Sequence, residues 1–301
     1  MVGARAIVLG SAAGGGFPQW NCRCRVCSLA WAGDPRVRRR TQASLALTGN
    51  GTEWVLVNAS PDIGQQIRRH SELWPRAGSR HSPIVSVILT NAEIDGCVGL
   101  LTLRERHAFR LFATETVHAA LDASPVFQVL DRRLVERVVV ESASVIATAG
   151  LKLRLFSVPG KSPLYAEGEA PDIGHDVGHT SGLLIEEGAA RLGYVPSCGH
   201  LSEAVLERLR GADPVLFDGT LFDDDELIAS GLGAKTGRRM GHVPISGPGG
   251  SLDGFGDEPR ARRIYVHINN SNPILIDGSP ERNAVAARGF EVAYDGMEFA
   301  L

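Results

Sequence analysis

The sequence feature that most constrains the fold is a group of three cysteines within six positions. The motif Cys22-x-Cys24-x-x-Cys27 holds three of the five cysteines of the chain. A disulfide framework explains such close spacing poorly, whereas three thiolates at this spacing can close around one Zn²⁺. The alternative is three reduced cysteines in a core, but the neighbours Arg23 and Arg25 are poor core residues. We therefore expect a structural zinc site with a fourth ligand from a distant part of the chain.

The composition is that of a globular protein with a sizeable core. The chain has 301 residues, of which 44% are hydrophobic and 22% charged, and these values exclude disorder, a collagen-like fibre and a membrane bundle. A formal net charge of -3 gives no field that would attract nucleic acid or an anionic membrane. No signal-like or membrane-spanning apolar run is present. We expect one cytoplasmic domain that acts on a small or locally recognised substrate.

Hydrophobic runs and turn residues predict a mixed α/β order of elements. Residues 43–47 and 53–58 flank a Gly-Asn-Gly-Thr turn and predict a β-hairpin. Ser60 is expected to cap a helix with Pro61 at its first position. Further strands are predicted at residues 4–10, 83–90, 111–113, 151–158, 182–186, 191–195, 214–217, 263–268 and 291–294, and helices at 98–106, 202–209 and 281–288. This order favours two sheets covered by outer helices over a regular Rossmann sheet.

A polar turn after the strand at residues 83–90 is one candidate for ligand binding. Asn91, Glu93 and Asp95 alternate along it, so on an extended segment their side chains would share a face and offer three oxygen ligands to a cation. Capping of the next helix is an alternative explanation for Asp95. Two Gly- and Pro-rich segments, residues 159–171 and 241–257, are predicted to form loops over the site.

Titratable residues also lie at the ends of predicted buried strands. Asp218 follows one such strand and His267 lies at the end of another, where open α/β sheets place ligands. Metal coordination would offset the cost of burying them, although a lone His at a strand end often has only a structural role. His242, beside a Gly-rich loop, is a third candidate, and His175 and His179 form a further pair before a strand.

Five long and unusual segments, spread over nearly the whole chain, carry a family resemblance. They are LGSAAGGGFPQWNCRC (9–24), NASPDI (58–63), GLLTLRE (99–105), HINNSNP (267–273) and AYDGM (293–297). Together they resemble the PqqB family of pyrroloquinoline quinone biosynthesis proteins. The resemblance implies an α/β fold of the metallo-β-lactamase type, an αββα sandwich with metal held at one edge of its two sheets.

The resemblance also implies a ligand set. The metal loop of the superfamily reads His-x-His-x-Asp-His, where residues 91–96 of this chain read NAEIDG. The family typically keeps the Asp-His pair, so Gly96 stands where a ligand is expected, and His175 and His179 would compensate only if their loop folded over the site. In a related phosphodiesterase branch, a His three residues after the final metal His completes the zinc site, and Asn270 occupies that position here. The ligands implied for the active-site metal are Asn91, Glu93, Asp95, Asp218 and His267.

The activity implied by the resemblance is a step in pyrroloquinoline quinone (PQQ) synthesis. Its chemistry is iron-dependent hydroxylation of the tyrosine ring of a Glu–Tyr precursor, with Asp95, His242 and His267 as the catalytic residues. Mixed His and carboxylate ligands suit Fe(II) and O₂ chemistry, whereas the same fold with zinc-bound hydroxide would give a hydrolase. A non-catalytic carrier of PQQ or its precursor, assisting transport to the periplasm, is the other alternative. Expected partners are the precursor or PQQ, other proteins of the pathway and a second copy in a homodimer.

Overall fold

The structure is a computed structural model that describes residues 3–141, 144–168, 173–176, 178–256 and 261–301. The ends of the two predicted loops, at residues 169–171 and 257, lie outside these ranges. The strands, numbered in chain order, are β1 (Arg5–Gly10), β2 (Ser44–Thr48), β3 (Trp54–Val57), β4 (Ile84–Ile88), β5 (Phe109–Ala113), β6 (Val135–Val139), β7 (Ile146–Thr148), β8 (Leu151–Ser157), β9 (Gly160–Lys161), β10 (Ile173–His175), β11 (Ser181–Glu187), β12 (Ala190–Val195), β13 (Val215–Asp218), β14 (Arg263–Val266), β15 (Phe290–Val292) and β16 (Glu298–Ala300). The α-helices are α1 (Arg25–Trp31), α2 (Ile63–Arg69), α3 (Ile94–Cys97), α4 (Glu115–Asp122), α5 (Glu203–Leu209), α6 (Glu226–Ala229), α7 (Ser251–Gly254) and α8 (Pro280–Ala287). None of the helices described is long and apolar enough to cross a membrane.

Two seven-stranded mixed sheets form the centre of the molecule. The first has the strand order β16-β1-β2-β3-β4-β5-β6 and the second β15-β14-β13-β12-β11-β8-β7, while β9 and β10 pair separately. The predicted hairpin is confirmed, because β2 and β3 pair antiparallel with Leu45 opposite Val57. From β3 to β6 the first sheet is parallel, and from β12 to β15 so is the second. Parallel strands require crossovers, which explains why helices follow them.

Alternation of side chains along the strands builds three apolar layers. In β1, Val8 faces the opposite sheet and Leu9 the outer helices. In β11, Ile185 faces inward and Leu184 outward. The outer layers are completed by helical residues of α2, α4, α5 and α8, namely Ile63, Val117, Val205 and Val285. The predicted αββα sandwich is therefore confirmed. Because successive side chains of a strand point to opposite faces of the sheet, neighbouring residues join different apolar layers.

The helix predicted at residues 98–106 is wrong. The structure has the short helix α3, then a 3₁₀ turn at Val98–Leu101, and turns beyond it. Gly99 explains the break, because its amide donates to Ala59 O and a Cβ at this position would lie 2.1 Å from Ser60 O. The chain passes so close to the backbone after β3 that tertiary contact overrides helix propensity.

The predicted cap of α2 is also displaced. The helix begins at Ile63 with Asp62 at its N-cap, not with Ser60 and Pro61. The Ser60 hydroxyl instead donates to Gln66 Oε1 at 3.2 Å, and the Asp62 carboxylate accepts from the backbone of Gln42 at 3.0 Å. Asp62 therefore ties α2 to the loop before β2, and Ser60 is bonded to a side chain of the helix, so neither side chain caps it.

Candidate metal centre and its cavity

The three cysteines of the motif converge at the start of α1, and we call them the cysteine cluster. The Cys27 amide donates to Cys24 Sγ at 3.4 Å, which caps the helix, and the Cys24 amide donates to Cys22 Sγ at the same distance. The three sulfur atoms lie within 4.8 Å of one another. A hydrogen bond from the Cys27 thiol lowers the pKa of Cys24 to about 5. A thiolate, the form that binds metal, is therefore available at neutral pH.

Asn270 lies against the cysteine cluster from the far end of the chain. Its Nδ2 is 3.2 Å from Cys22 Sγ and 3.3 Å from Cys27 Sγ, so in this orientation the amide donates hydrogen bonds to the sulfur atoms. Only its Oδ1 has a lone pair for a metal, and a half-turn of the amide would present that atom instead. The structure thus places Asn270 next to the cysteine cluster, and three thiolates with its Oδ1 would make a closed zinc site.

A second group of ligands converges at the edge of the second sheet. Asp218 ends β13 and His267 follows β14, and these strands are adjacent and parallel, so their carboxyl ends meet. His242 completes the group, and the ligand atoms of the three residues lie within 4.8 Å of one another. The two imidazole rings stack with centroids 5.2 Å apart. We call Asp218, His242 and His267 the cavity cluster.

Thr220, which was not predicted from the sequence, contacts all three members of the cavity cluster. Its Oγ1 lies 2.6 Å from Asp218 Oδ1, 3.0 Å from His242 Nδ1 and 2.9 Å from His267 Nδ1. A hydroxyl donates once and accepts at two lone pairs, so donation to Asp218 leaves it able to accept from the imidazoles. Protonated Nδ1 atoms would leave the Nε2 lone pairs to a metal, which at His267 would compete with the contact between Nε2 and Asp95 Oδ2. The sequence feature that could have indicated Thr220 is its position two residues after Asp218.

Asp95 reaches the cavity cluster from the first sheet. Its Oδ2 lies 3.0 Å from His267 Nε2. Burial disfavours the imidazolium, but the hydrogen bond and charge of Asp95 outweigh burial and raise the pKa of His267. His267 also has a positive φ of 58°. This conformation is rare for a residue other than glycine, and such backbones concentrate at functional sites.

The donor set of the cavity cluster fits a borderline divalent cation. Two imidazoles and one carboxylate are the ligands typical of non-haem Fe(II) oxygenases, and the nearby Asp95 adds a second carboxylate. Asp218 is completely buried, so a cation beside it would neutralise a charge that is otherwise satisfied only by hydrogen bonds. The structure therefore brings together three of the residues predicted for the active-site metal: Asp95, Asp218 and His267.

Asn91 and Glu93 do not join them. The extended segment assumed for residues 91–95 is wrong, because α3 begins at Ile94. Asn91 Oδ1 accepts from the Glu93 amide at 3.1 Å, and the Glu93 carboxylate lies 2.6 Å from Lys161 Nζ. Both residues line the same cavity as the cluster, but their oxygens are engaged in these contacts.

Gly96 lies inside α3, where its missing side chain faces Asn91. A Cβ at this position would lie 2.7 Å from Asn91 Oδ1 and 3.7 Å from Asn58 Cγ. An imidazole there would therefore have to displace the Asn91 amide. His175 is exposed at the end of β10, and neither His175 nor His179 belongs to the two ligand groups found among the described residues.

A cavity of about 680 Å³ opens beside the cavity cluster. His242, His267 and Thr220 line it, together with Asp95. The predicted loops contribute as expected within their described parts: Lys161, Leu164 and Glu167 come from the first and His242 from the second. Leu227 and Met240 add apolar surface. The volume suits a small-molecule site with a few oriented polar groups.

Comparison with known proteins agrees with the fold and the site described above. Residues 53–268 match the family model described as "Beta-lactamase superfamily domain". Over 296 residues the chain is 50% identical to coenzyme PQQ synthesis protein B of Methylorubrum populi, covering 98% of this chain and 99% of that protein. The chain is also 53% identical over 298 residues to the Rhizobium meliloti protein of the same name. This match covers 99% of this chain and 98% of that protein.

A solved structure agrees with these relatives. Zn²⁺-bound PqqB from Methylobacterium extorquens superimposes with a TM-score of 0.96 at 49% identity, and the match covers 99% of this chain and all of that one. The chain therefore belongs to the coenzyme PQQ synthesis protein B family, within the beta-lactamase superfamily.

Proposed function

We propose that this protein acts in PQQ synthesis as an iron-dependent hydroxylase of the tyrosine ring in a Glu–Tyr precursor. Family membership supports the pathway. The observation that carries the reaction class is the cavity cluster, in which two imidazoles and a carboxylate meet beside a cavity of about 680 Å³. The zinc belongs, in this proposal, to the cysteine cluster.

The residues of the cavity cluster would hold Fe(II), and an iron ion bound there would supply the activation of O₂. Hydroxylation also requires a two-electron reductant, because one oxygen atom enters the ring and the other leaves as water. The contribution of the chain is to hold the ligands and the substrate in fixed positions. Thr220 and Asp95 fix the orientation of His267 from its two sides. Leu227 and Met240 exclude water from part of the cavity.

The deciding experiment is an anaerobic iron titration of the zinc-loaded protein, followed by exposure to O₂, a reductant and Glu–Tyr. We expect one ferrous ion to bind in addition to zinc, and mass analysis to show a gain of one oxygen atom on the tyrosine residue. Zinc at the cysteine cluster with no iron uptake, or iron uptake with an unchanged peptide, would contradict the proposal.

The second candidate is a non-catalytic carrier of PQQ or its precursor. Gly96 favours it, because glycine offers no donor atom next to Asp95, and the cavity would still hold a small ligand. Tight binding of PQQ by a protein that takes up no iron would support the carrier. Hydrolysis by zinc in the cavity cluster is a third candidate, and release of cleavage products without O₂ would reveal it.

A further inference from the structure

Five charged side chains form a network at the cavity, which four of them line, and we call this network the charged wall. Its centre is Lys161, whose ammonium lies 2.6 Å from Glu93 Oε1 and 2.7 Å from Glu167 Oε1. Lys161 also donates to Ser162 O at 3.1 Å, and its side chain is only 9% exposed. The ammonium thus makes hydrogen bonds to Glu93 and Ser162 and an ion pair with Glu167. Lys161 holds the two carboxylates in place and is not available to a ligand.

The other two cations of the charged wall are Lys235 and Arg239. Each reaches the same oxygen, Glu167 Oε2, at 3.5 Å, and their side chains are 41% and 37% exposed. Strong charge-assisted hydrogen bonds are shorter, about 2.7–2.9 Å. An ammonium has three donors and a guanidinium five, so within the described ranges one distant oxygen accounts for few of them. Counted over those same ranges, the charged wall has three cations against two carboxylates and an excess of positive charge.

We propose that Lys235 and Arg239 form the subsite for a carboxylate of the substrate. Both heads converge on one carboxylate oxygen, so they lie close enough together to share an incoming carboxylate. Glu167 is already paired with Lys161, which reduces its repulsion of that ligand. Lys235 lines the cavity of the cavity cluster.

The subsite is tied to the cavity cluster by the chain itself. Lys235, Arg239 and His242 belong to one short segment, which Asp224 anchors by accepting from the Arg238 amide at 2.8 Å. The stem of Lys161 packs against Gly241, directly before His242, where a Cβ would lie 3.1 Å from Lys161 Cγ. A carboxylate at this subsite therefore lies beside the cavity cluster.

The substrate class follows from what else lines the cavity. Leu227 and Met240 offer apolar contact for a ring, and the charged wall offers contact for one or two carboxylates. The ligand is therefore a ring-bearing acid, and a Glu–Tyr peptide with its side-chain and terminal carboxylates is one example. The choice of Glu–Tyr as the ligand rests on the proposed function. The carboxylate subsite itself can be tested by binding alone, without the reaction.

The test measures binding by calorimetry under anaerobic conditions, with zinc- and iron-loaded protein. The ligands are Glu–Tyr and its neutral analogue Gln–Tyr amide, so the comparison isolates the carboxylates. In the double variant Lys235→Gln/Arg239→Gln we expect the affinity for Glu–Tyr to fall about tenfold, since two half-exposed ion pairs are lost. The affinity for the neutral analogue is expected to change by less than about twofold.

Arg238→Gln is the matched control. It removes one positive charge from the 3₁₀ helix Arg238–Met240, which also carries Arg239, but the Arg238 guanidinium donates to Pro248 O and Gly249 O and not to Glu167. We expect this variant to bind Glu–Tyr within about twofold of the wild type. Added salt should weaken the wild type more than the double variant, because the lost contacts are ionic.

Three outcomes would overturn the subsite: equal binding of Glu–Tyr by the wild type and the double variant, equal binding of the two peptides by the wild type, or an equal loss in the control. The proposed function fails separately. If binding depends on Lys235 and Arg239 but no oxygen is added to the ring, the subsite stands and the hydroxylase does not. If hydroxylation proceeds with an unchanged KM in the double variant, the hydroxylase stands and the subsite does not.

Discussion

The cysteine cluster and the cavity cluster meet on one loop yet differ in how they are built. Residues 267–272 carry His267 into the cavity cluster and place Asn270 against the cysteine cluster. The cysteine cluster takes three members from six consecutive positions, whereas Asp218 of the cavity cluster ends β13 and His242 comes from a loop. The first is thus a local motif closed by one distant residue, and the second exists only in the folded chain.

The two clusters also differ in the chemistry of their ligand atoms. Thiolates packed against an amide give zinc a closed environment, which contributes to folding. Imidazole and carboxylate groups lie beside an open cavity, which under the proposed function would take the substrate and O₂. The contrast shows that one loop joins a local group of thiols to a group assembled from distant residues. The following variants test whether the first stabilises the fold and the second carries the reaction, as proposed.

The largest effect is expected from Cys24→Ser. Loss of a thiolate ligand should release zinc and lower the free energy of unfolding by about 4 kcal/mol or more, the range in which losses of metal sites fall. Thermal unfolding and zinc analysis measure it. Cys97→Ser is the control, because Cys97 is a buried thiol outside the cluster, and burial raises its pKa to about 12, so it stays a neutral thiol. A zinc-free variant as stable as the wild type would refute a structural zinc.

The next largest effect is expected from His267→Ala, and it falls on the other cluster. Removing this imidazole should abolish ferrous binding and lower hydroxylation by about a hundredfold or more, because even residues outside the ligand shell cost 10–100-fold. Zinc content should stay unchanged. His175→Ala, the same change at an exposed position, should leave both intact. If His175→Ala also lost iron, the loop of that residue would be part of the site.

A smaller effect is expected from Thr220→Val, which keeps the shape of the side chain but removes its hydroxyl. The imidazoles lose the group that orients their Nδ1 atoms, so the affinity for Fe(II) should fall about 10–100-fold. Thr220→Ser retains the hydroxyl and should recover most of the affinity. Equal affinities in the two variants would show that Thr220 acts only through packing.

The smallest effect is expected from Gly96→His. An imidazole beside Asp95 should raise iron affinity, by about a few-fold, because the added nitrogen must first displace Asn91. Gly96→Ala adds the Cβ without a donor and measures that steric cost alone. Iron binding and hydroxylation are compared side by side. A fully active wild type with no gain in the variant would mean that Asp95 and the cavity cluster suffice.

The sequence by itself determined the features that depend on neighbouring residues. The spacing of Cys22, Cys24 and Cys27 predicted their convergence, and apolar periodicity located most strands and the helices α5 and α8. The placement of Asp218 and His267 at strand ends was also readable, because parallel strands of one sheet end at a common edge. Helix α4 and strand β6 went unpredicted. Helix α4 buries Val117 and Leu121, four positions apart on one face, whereas β6 buries only Val135 and shows no alternation.

Only the tertiary structure decided the rest of the site. Nothing near Glu93 in sequence indicates its pairing with Lys161, which lies 68 residues away. The central position of Thr220 depends on the approach of His242 from a loop and of His267 from β14. Gly99 ended a predicted helix because another segment passes within contact of it. Local patterns fix which elements form, but contacts between distant segments fix which side chains meet, because packing energies there exceed local preference.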